Sequence, residues 1–435
     1  MRLKIENIGK VRNADVKLNG VTVIAGENSS GKSTVGKILF SVVKAVADAR
    51  DDDDKKREKA IDKLVTSLYM RIKSATNRFN NTDIDKYFPI PHRQFTKAMM
   101  EAEKSGSFKE HLENLVVAIQ NLEDVTPRMR ALMLQDLDNI SIAIKNKDNR
   151  AATIKTIMEY SIESEFMNNI CSYGSDVAHV NLIDDGGKFH LDLHIEKEKV
   201  SNVKVGLSDP LSDATYVESP LYIHMLDTLL RAETFREAEG KSYRRSMLPI
   251  HIKDLAEKID GLRMASDTPP LWESLSINDI IQGEFQYDTK KRRLVFRQNG
   301  KDISPINVAS GIKSFGLVQM LLQTHTIGAN KILIWDEPEN HLHPEWQIAF
   351  AKLLVQLSIM GIPVLVSTHS PYFVQGVRYF AAQQNVEKYV NYYLAEIGKD
   401  NLSEVREVTD DLNAIFVKLS KPLNGIMNVD LARQK

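Results

Sequence analysis

From Val21 to Thr34 the chain reads VTVIAGENSSGKST. The run Val21–Ala25 is short and apolar, as a buried strand requires. Gly26 ends it, and a helical pattern follows from about Ser33 to Ala49. Between them, Gly26-Glu27-Asn28-Ser29-Ser30-Gly31-Lys32-Ser33, followed by Thr34, satisfies the glycine-rich phosphate-loop pattern in full. Glycines let the backbone curl so that its N–H groups point inward at phosphate. The start of the helix adds a favourable dipole. Lys32 supplies a point charge for the β- and γ-phosphates, and the Ser33 hydroxyl is a magnesium ligand. A strand–loop–helix unit with these residues predicts an α/β fold that takes ATP and Mg2+.

Working outward, a partner for that loop stands much later. Lys331-Ile332-Leu333-Ile334-Trp335 is a second apolar strand, and it runs into Asp336-Glu337-Pro338-Glu339. Asp336 is placed to hold the magnesium. Glu337, one residue on, points elsewhere and is the candidate base that polarises the attacking water. A third strand, Val364-Leu365-Val366, leads into Ser367-Thr368-His369-Ser370-Pro371. A histidine at that strand end is placed to contact the γ-phosphate and report its loss. Ala309-Ser310-Gly311-Ile312-Lys313-Ser314 opens a helix through about Leu322. Serine and glycine at a helix start make a phosphate-facing cap. Alone it is an ordinary N-cap; its position ahead of Asp336 favours a nucleotide contact by Ser310 and Gly311.

These four elements together resemble the ABC-type ATPases of the SMC/RecF/OLD group. The segments DEPENHLHPEWQ at 336–347 and THSPYF at 368–373 are similar to the OLD-like ATPases of prokaryotic anti-phage systems, such as PtuA of Septu and AriA of PARIS. The resemblance covers about 1–45, 177–225 and 280–380. It implies a mixed-sheet ABC-ATPase head, a homodimer with ATP sandwiched between heads, Ser310 acting in trans, and His369 as the switch histidine. Ile312 and Lys313 depart from the usual Ser-Gly-Gly-Gln signature, which leaves Ser310 and Gly311 as the trusted contacts. Arg12 reaches phosphate only by this resemblance.

The rest of the chain sets the organisation. Leu3, Ile5 and Ile8, then Ala14, Val16 and Leu18, mark two strands ahead of the loop. A helical insertion is expected over 46–175, so that the head is split into 1–45 and 176–435. Within it Ser107 and Glu110 form a capping box, Pro127 opens a helix, and Asp51–Asp54 followed by Lys55-Lys56-Arg57 reads as a solvated charge block. VAHVNLIDDGGKFHLDLHI from Val177 and GEFQYDTKKRRLVFRQNGKDI from Gly283 read as hairpins. Tyr216–Tyr222 reads as a strand end and 265–272 as a loop.

Composition bounds the partners. The 435 residues carry 57 Lys+Arg against 58 Asp+Glu, so no global charge favours nucleic acid. The basic turn Lys290-Lys291-Arg292-Arg293 leaves nucleic acid possible but not evident. Cys171 is the only cysteine and cannot form an internal disulfide or a zinc ribbon. His341 and His343 with Glu339 lack a further convergent metal ligand. With no leader-like segment and no apolar run long enough for a membrane, a cytoplasmic protein is expected. The stretch from Ser370 to Lys435 is shorter than a typical domain of about 100 residues, so no nuclease activity of its own is expected.

Three functions compete: a regulatory ATPase controlling a separate effector (a nuclease or toxin) in a defence complex, a DNA-repair or DNA-clamp ATPase, and a transporter energy-coupling subunit. The split head and the departing signature argue against the third. A homodimer or a higher oligomer is expected.

Overall fold

The three apolar runs at 21–25, 331–335 and 364–366 become neighbours in one sheet. A computed structural model of the chain describes residues 1–50, 107–122, 125–145, 150–167, 169–206, 211–230, 248–264 and 277–421, with position 275 and scattered positions between 61 and 102. The charge block at 51–57 and the loop expected over 265–272 lie outside the described residues. Two compact units emerge, Met1–Ala47 with Ile154–Lys435, and Asp48–Thr153.

The first unit carries the strands β1 (Arg2–Ile8), β2 (Val11–Lys17), β3 (Val21–Gly26), β4 (Val177–Ile183), β5 (Phe189–Glu196), β6 (Lys199–Val205) and β7 (Asp213–Val217). After them come β8 (Glu284–Asp288), β9 (Arg293–Gln298), β10 (Lys301–Ile303), β11 (Lys331–Asp336), β12 (Val364–Thr368), β13 (Val390–Ile397) and β14 (Ser403–Glu407). The large sheet runs β6-β5-β4-β1-β2-β14-β13-β3-β12-β11-β7, and β10-β9-β8 form a small one. β13, β3, β12, β11 and β7 are mutually parallel. The strands from β2 through β6 on the other side pair antiparallel. The chain is therefore α/β, with a mixed sheet.

Helices cover both faces of the parallel half. Side chains alternate along a strand, and the two cores obey this. Val21, Val23, Leu333, Trp335, Val364 and Val366 enter one core. Ile24, Ile332, Ile334 and Leu365 enter the other. On the second face α1 (Lys32–Arg50) buries Val35, Ile38, Leu39 and Val42 at helical spacing. The first face is covered by later helices, whose buried residues join that core.

Further α-helices among the described residues include α2 (Phe108–Gln120), α3 (Pro127–Lys145), α4 (Arg150–Phe166), α5 (Ile250–Asp260), α6 (Ile277–Ile281), α7 (Ser310–Gln323), α8 (Pro344–Ile359) and α9 (Pro371–Gln383). In the second unit Leu115 and Ile119 of α2 and Met133, Leu137, Ile140 and Ile144 of α3 share a core with Ile61, Val65, Phe95 and Met99. This unit is narrower than the insertion expected over 46–175. Most of α4 belongs to the first unit, because Met158 and Ile162 bury against the α1 side of the sheet.

Local readings need adjusting too. Ser107 stands at the N-cap of α2 without a side-chain cap bond, so the capping box does not form. The strand before Tyr222 stops at Val217. A 3₁₀ turn, Pro220–Met225, follows, with Ser219 Oγ accepting from the Leu221 N–H. Each expected hairpin gains a third strand, β6 and β10.

Candidate nucleotide site

The loop 26–34 leaves the C-terminal end of β3, the crevice where open α/β sheets bind ligands. Ser29 and Gly31 take left-handed backbone, at φ 62° and 80°. At Gly31 a Cβ would stand 2.8 Å from Val11 Cγ2, so both the conformation and the close packing require glycine. Lys32 is almost wholly buried, and its Nζ donates to the carbonyls of Gly26 at 3.0 Å and Glu27 at 2.9 Å. Ser30 Oγ is buried without a hydrogen-bond partner. A buried unpaired hydroxyl is costly, and inside a curled loop it is a polar atom suited to a phosphate oxygen. Ser33 and Thr34 open α1.

Order in the sheet sets the other side. β12 lies between β3 and β11, so both flanking strands deliver their ends to the same edge. Tyr216 OH donates to Asp336 Oδ2 at 3.1 Å, and Ser367 Oγ donates to Asp336 Oδ1. Burial and the neighbouring Asp336 push the Tyr216 hydroxyl well above its usual range, so it stays a donor. Glu337 sits at φ 47°, uncommon for a non-glycine residue. Its N–H is held by Ser367 O at 3.1 Å and Ser367 Oγ at 3.2 Å. That turn leaves the carboxylate facing the loop: Oε1 is 3.7 Å from Lys32 Nζ and 3.5 Å from His369 Nδ1, and Oε2 accepts from Asn340 at 3.2 Å. Lys32, Asp336, Glu337 and His369 are thus brought together.

A second carboxylate holds the histidine. Glu339 is buried, and its Oε1 accepts from Thr368 Oγ1 at 2.6 Å and from the N–H groups of His369 at 2.6 Å and Ser370 at 3.1 Å. His369 Nδ1 is 3.3 Å from the same oxygen. Burial raises the Glu339 carboxyl and these hydrogen bonds oppose that. Ser370 Oγ donates to Gln347 Oε1 at 2.6 Å while capping α9. The segments 336–347 and 368–373 therefore interlock. The sequence reading missed Tyr216, Ser367 and Gln347, and weighed Glu339 only as a metal ligand.

Ser310 and Gly311 stand apart. They begin α7, whose side chains fill the core on the opposite face from α1. Ala309, not Ser310, takes the N-cap backbone, and no side chain caps the helix. A Cβ on Gly311 would meet Trp346 at 2.8 Å. Lys313, in place of the signature glutamine, is buried with Nζ 3.3 Å from His224 Nδ1, and burial lowers its pKa. Arg12 pairs with Asp400, and Lys291 with Asp288 and Asp302. His341, His343 and Glu339 are not among the groups gathered closely enough to hold a metal.

The loop and the acids at the strand ends form one connected set of residues. Residues 1–374 match the family model for the AAA ATPase domain. The chain belongs to that family of ATPases. No curated protein matches it. Among solved structures, the SMC head domain from Thermotoga maritima aligns at TM-score 0.37 and 11% identity, covering 94% of this chain and 98% of that one. The Smc head domain with an extended coiled coil, bound to the C-terminal domain of ScpA and derived from Pyrococcus furiosus, aligns at 0.40 and 10%, covering 100% and 99%. Likeness at that level carries nothing about what this chain binds. Among the described residues, no helix is long and apolar enough to cross a membrane.

Proposed function

We propose that this chain binds and hydrolyses ATP between two copies of itself, and that its ATP state controls a separate effector protein, a nuclease or toxin, in a prokaryotic anti-phage complex. The observation that carries the ATPase part is the convergence of Lys32, Asp336, Glu337 and His369 around the loop 26–34. The loop amides and Lys32 hold the phosphates. Ser33 and Asp336 would hold Mg2+, which when bound neutralises phosphate charge. Glu337 takes a proton from the water that attacks the γ-phosphorus, while the bond to the bridging oxygen breaks. His369, held by Glu339, senses the γ-phosphate and passes its loss to α9.

Ser310 and Gly311 serve the partner copy. The resemblance to the ABC signature implies this, their place on the opposite face of the sheet from α1 is compatible with it, and the active form is then a twofold dimer. The defence role rests on the resemblance of 336–347 and 368–373, two segments joined through Glu339 and Gln347. The chain itself carries no nuclease activity in this reading.

Glu337→Gln tests the ATPase assignment. ATP affinity is retained, turnover falls roughly 10²-fold or more, and a closed dimer accumulates with ATP in light scattering. Wild-type turnover in that variant would place the base elsewhere. A monomer under saturating ATP would remove the two-copy site.

A further inference from the structure

Away from the nucleotide site, one further set of ligating side chains converges among the described residues, on β4 and β5. Strand alternation fixes its face. Ala178, Val180 and Leu182 of β4 and Leu191, Leu193 and Ile195 of β5 point into the core. His179 and Asn181, and Asp192 and His194, therefore share the outward face. Register places His179 directly opposite His194, and Asn181 opposite Asp192.

The two imidazoles stack with centroids 4.2 Å apart and planes at 25°. Both Nε2 atoms address one oxygen: His179 at 2.6 Å and His194 at 3.1 Å from Asp192 Oδ1. One protonated histidine is enough for an ion pair with a carboxylate. A second, stacked on the first and aimed at the same atom, adds cation–cation repulsion if charged and little if neutral. Two neutral imidazoles beside a carboxylate are instead a set of three ligand atoms gathered close together. We propose that His179, Asp192 and His194 form a binding site for one divalent transition ion of the zinc type.

Geometry supports the fit. The three ligand atoms lie within 4.8 Å of one another. With Zn–N and Zn–O near 2.0–2.2 Å, tetrahedral ligand atoms stand roughly 3.4 Å apart. Opening the two contacts to Asp192 by under about 1 Å reaches that spacing, and turning the imidazoles out of their stack aims both Nε2 atoms at one ion. The side chains are 25%, 22% and 40% exposed, so water can complete the coordination. Glu6 of β1 is the register partner of His179 and stands on the outward side of that strand, one position further along the same row. Lys204 opposite Asp192 adds an unfavourable charge. Imidazole ligation selects zinc, cobalt, nickel or copper over magnesium, so this ion is distinct from the one at the nucleotide site.

The test uses the full, tag-free chain stripped with chelator and titrated with Zn2+ or Co2+ alone, by calorimetry and by visible absorption of cobalt. Expected are one ion per chain, tetrahedral cobalt bands, and no competition from millimolar Mg2+. His179→Ala and His194→Ala weaken binding at least tenfold, while Lys32→Ala binds zinc as wild type does. If an alanine variant loses its sheet signal in circular dichroism, the isosteric Asp192→Asn carries the test with the same expected weakening. No stoichiometric binding by the wild type, or equal affinity in folded variants, overturns the site.

Discussion

The two halves of the large sheet follow different rules, and the difference decides where chemistry collects. In the parallel half, β3 and β12 are buried along their whole length. Covered on both faces, these strands can place polar groups only at their ends. Gly26, Asp336 and Thr368 are those ends, and the phosphate loop, Glu337 and His369 follow them. In the antiparallel arm β4 alternates strictly between buried and more open positions. There the polar groups sit along the strand, and a site is made across strands instead of at their tips.

The sharpest way to break this comparison is to damage one half and look for an effect in the other. Lys32→Ala removes the only charge buried within the loop, with its two carbonyl contacts. ATP affinity by calorimetry falls at least about 10²-fold, as loss of a charge-assisted contact of roughly 3 kcal/mol implies. Unchanged affinity would mean that the loop is not the phosphate site.

Stability should split the same way. Leu333, fully buried in β11, becomes a cavity as Leu333→Ala, costing about 2–5 kcal/mol in chemical denaturation. Val177 at the start of β4 is 51% exposed, and Val177→Ala stays within roughly 0.5 kcal/mol. Equal costs would show that the arm is packed on both faces like the parallel half.

A third difference lies beneath the parallel half, where charge is buried as well as apolar surface. His251 of α5 is fully buried, with Nδ1 2.7 Å from Glu165 Oε2 and Nε2 3.1 Å from Glu218 Oε2. Burial lowers the His251 pKa, but the hydrogen bonds to Glu165 and Glu218 outweigh it and the net shift is upward. The hydrogen bond from His251 holds Glu218 down at about 2, against its own burial. A raised histidine contributes stability that is full below its unfolded value, near 6.5, and lost as pH rises through the folded one. A depressed glutamate contributes above about 4.5 and loses it as pH falls toward 2. His251→Gln should therefore cost most between about pH 4.5 and 6.5, roughly 1.5–3 kcal/mol for hydrogen bonds to charged groups. The gap to wild type narrows as pH rises. A gap independent of pH would mean that packing, not charge, holds His251.

How much could be read in advance follows from the same contrast. Residues 21–26 and 32–50 form the strand and helix expected at 21–25 and 33–49, because the apolar run, the glycines and the helical spacing are contiguous. The places of Asp336 and His369 at strand ends were legible for the same reason: Asp336 directly follows an apolar run, and His369 follows one after Ser367 and Thr368. Contacts made by folding were not legible. Tyr216 reaches Asp336 from 120 positions away. Beside two histidines Glu339 could be weighed only as a metal ligand, and one short of partners, whereas it accepts the N–H groups of the turn after β12. Ser310 looked like an N-cap by residue type, and backbone geometry gave that place to Ala309. In the arm the alternation was visible, but the register that sets His179 against His194 was not.

The smallest expected effect is the most pointed, because it removes one atom between the two strands β7 and β11. Tyr216 packs edge-on to His251 at 4.8 Å and to Phe40 at 6.2 Å, and its ring lies close enough to Gly36 that a Cβ there would approach within 2.8 Å. Tyr216→Phe keeps all of that packing and deletes only the hydroxyl on Asp336 Oδ2. Ser367 Oγ still holds Oδ1, so the carboxylate loses one of its two orienting donors. Hydrogen bonds that orient a metal-binding carboxylate are worth about 10- to 100-fold in metal affinity, and with one donor kept the lower end applies. The Mg2+ concentration needed for half-maximal turnover should rise about tenfold. ATP binding measured without metal stays as in the wild type, which a general loss of packing would not allow. An unchanged Mg2+ requirement would mean that Ser367 alone aims Asp336, so that the end of β11 is organised entirely by its neighbour β12 and owes nothing to β7.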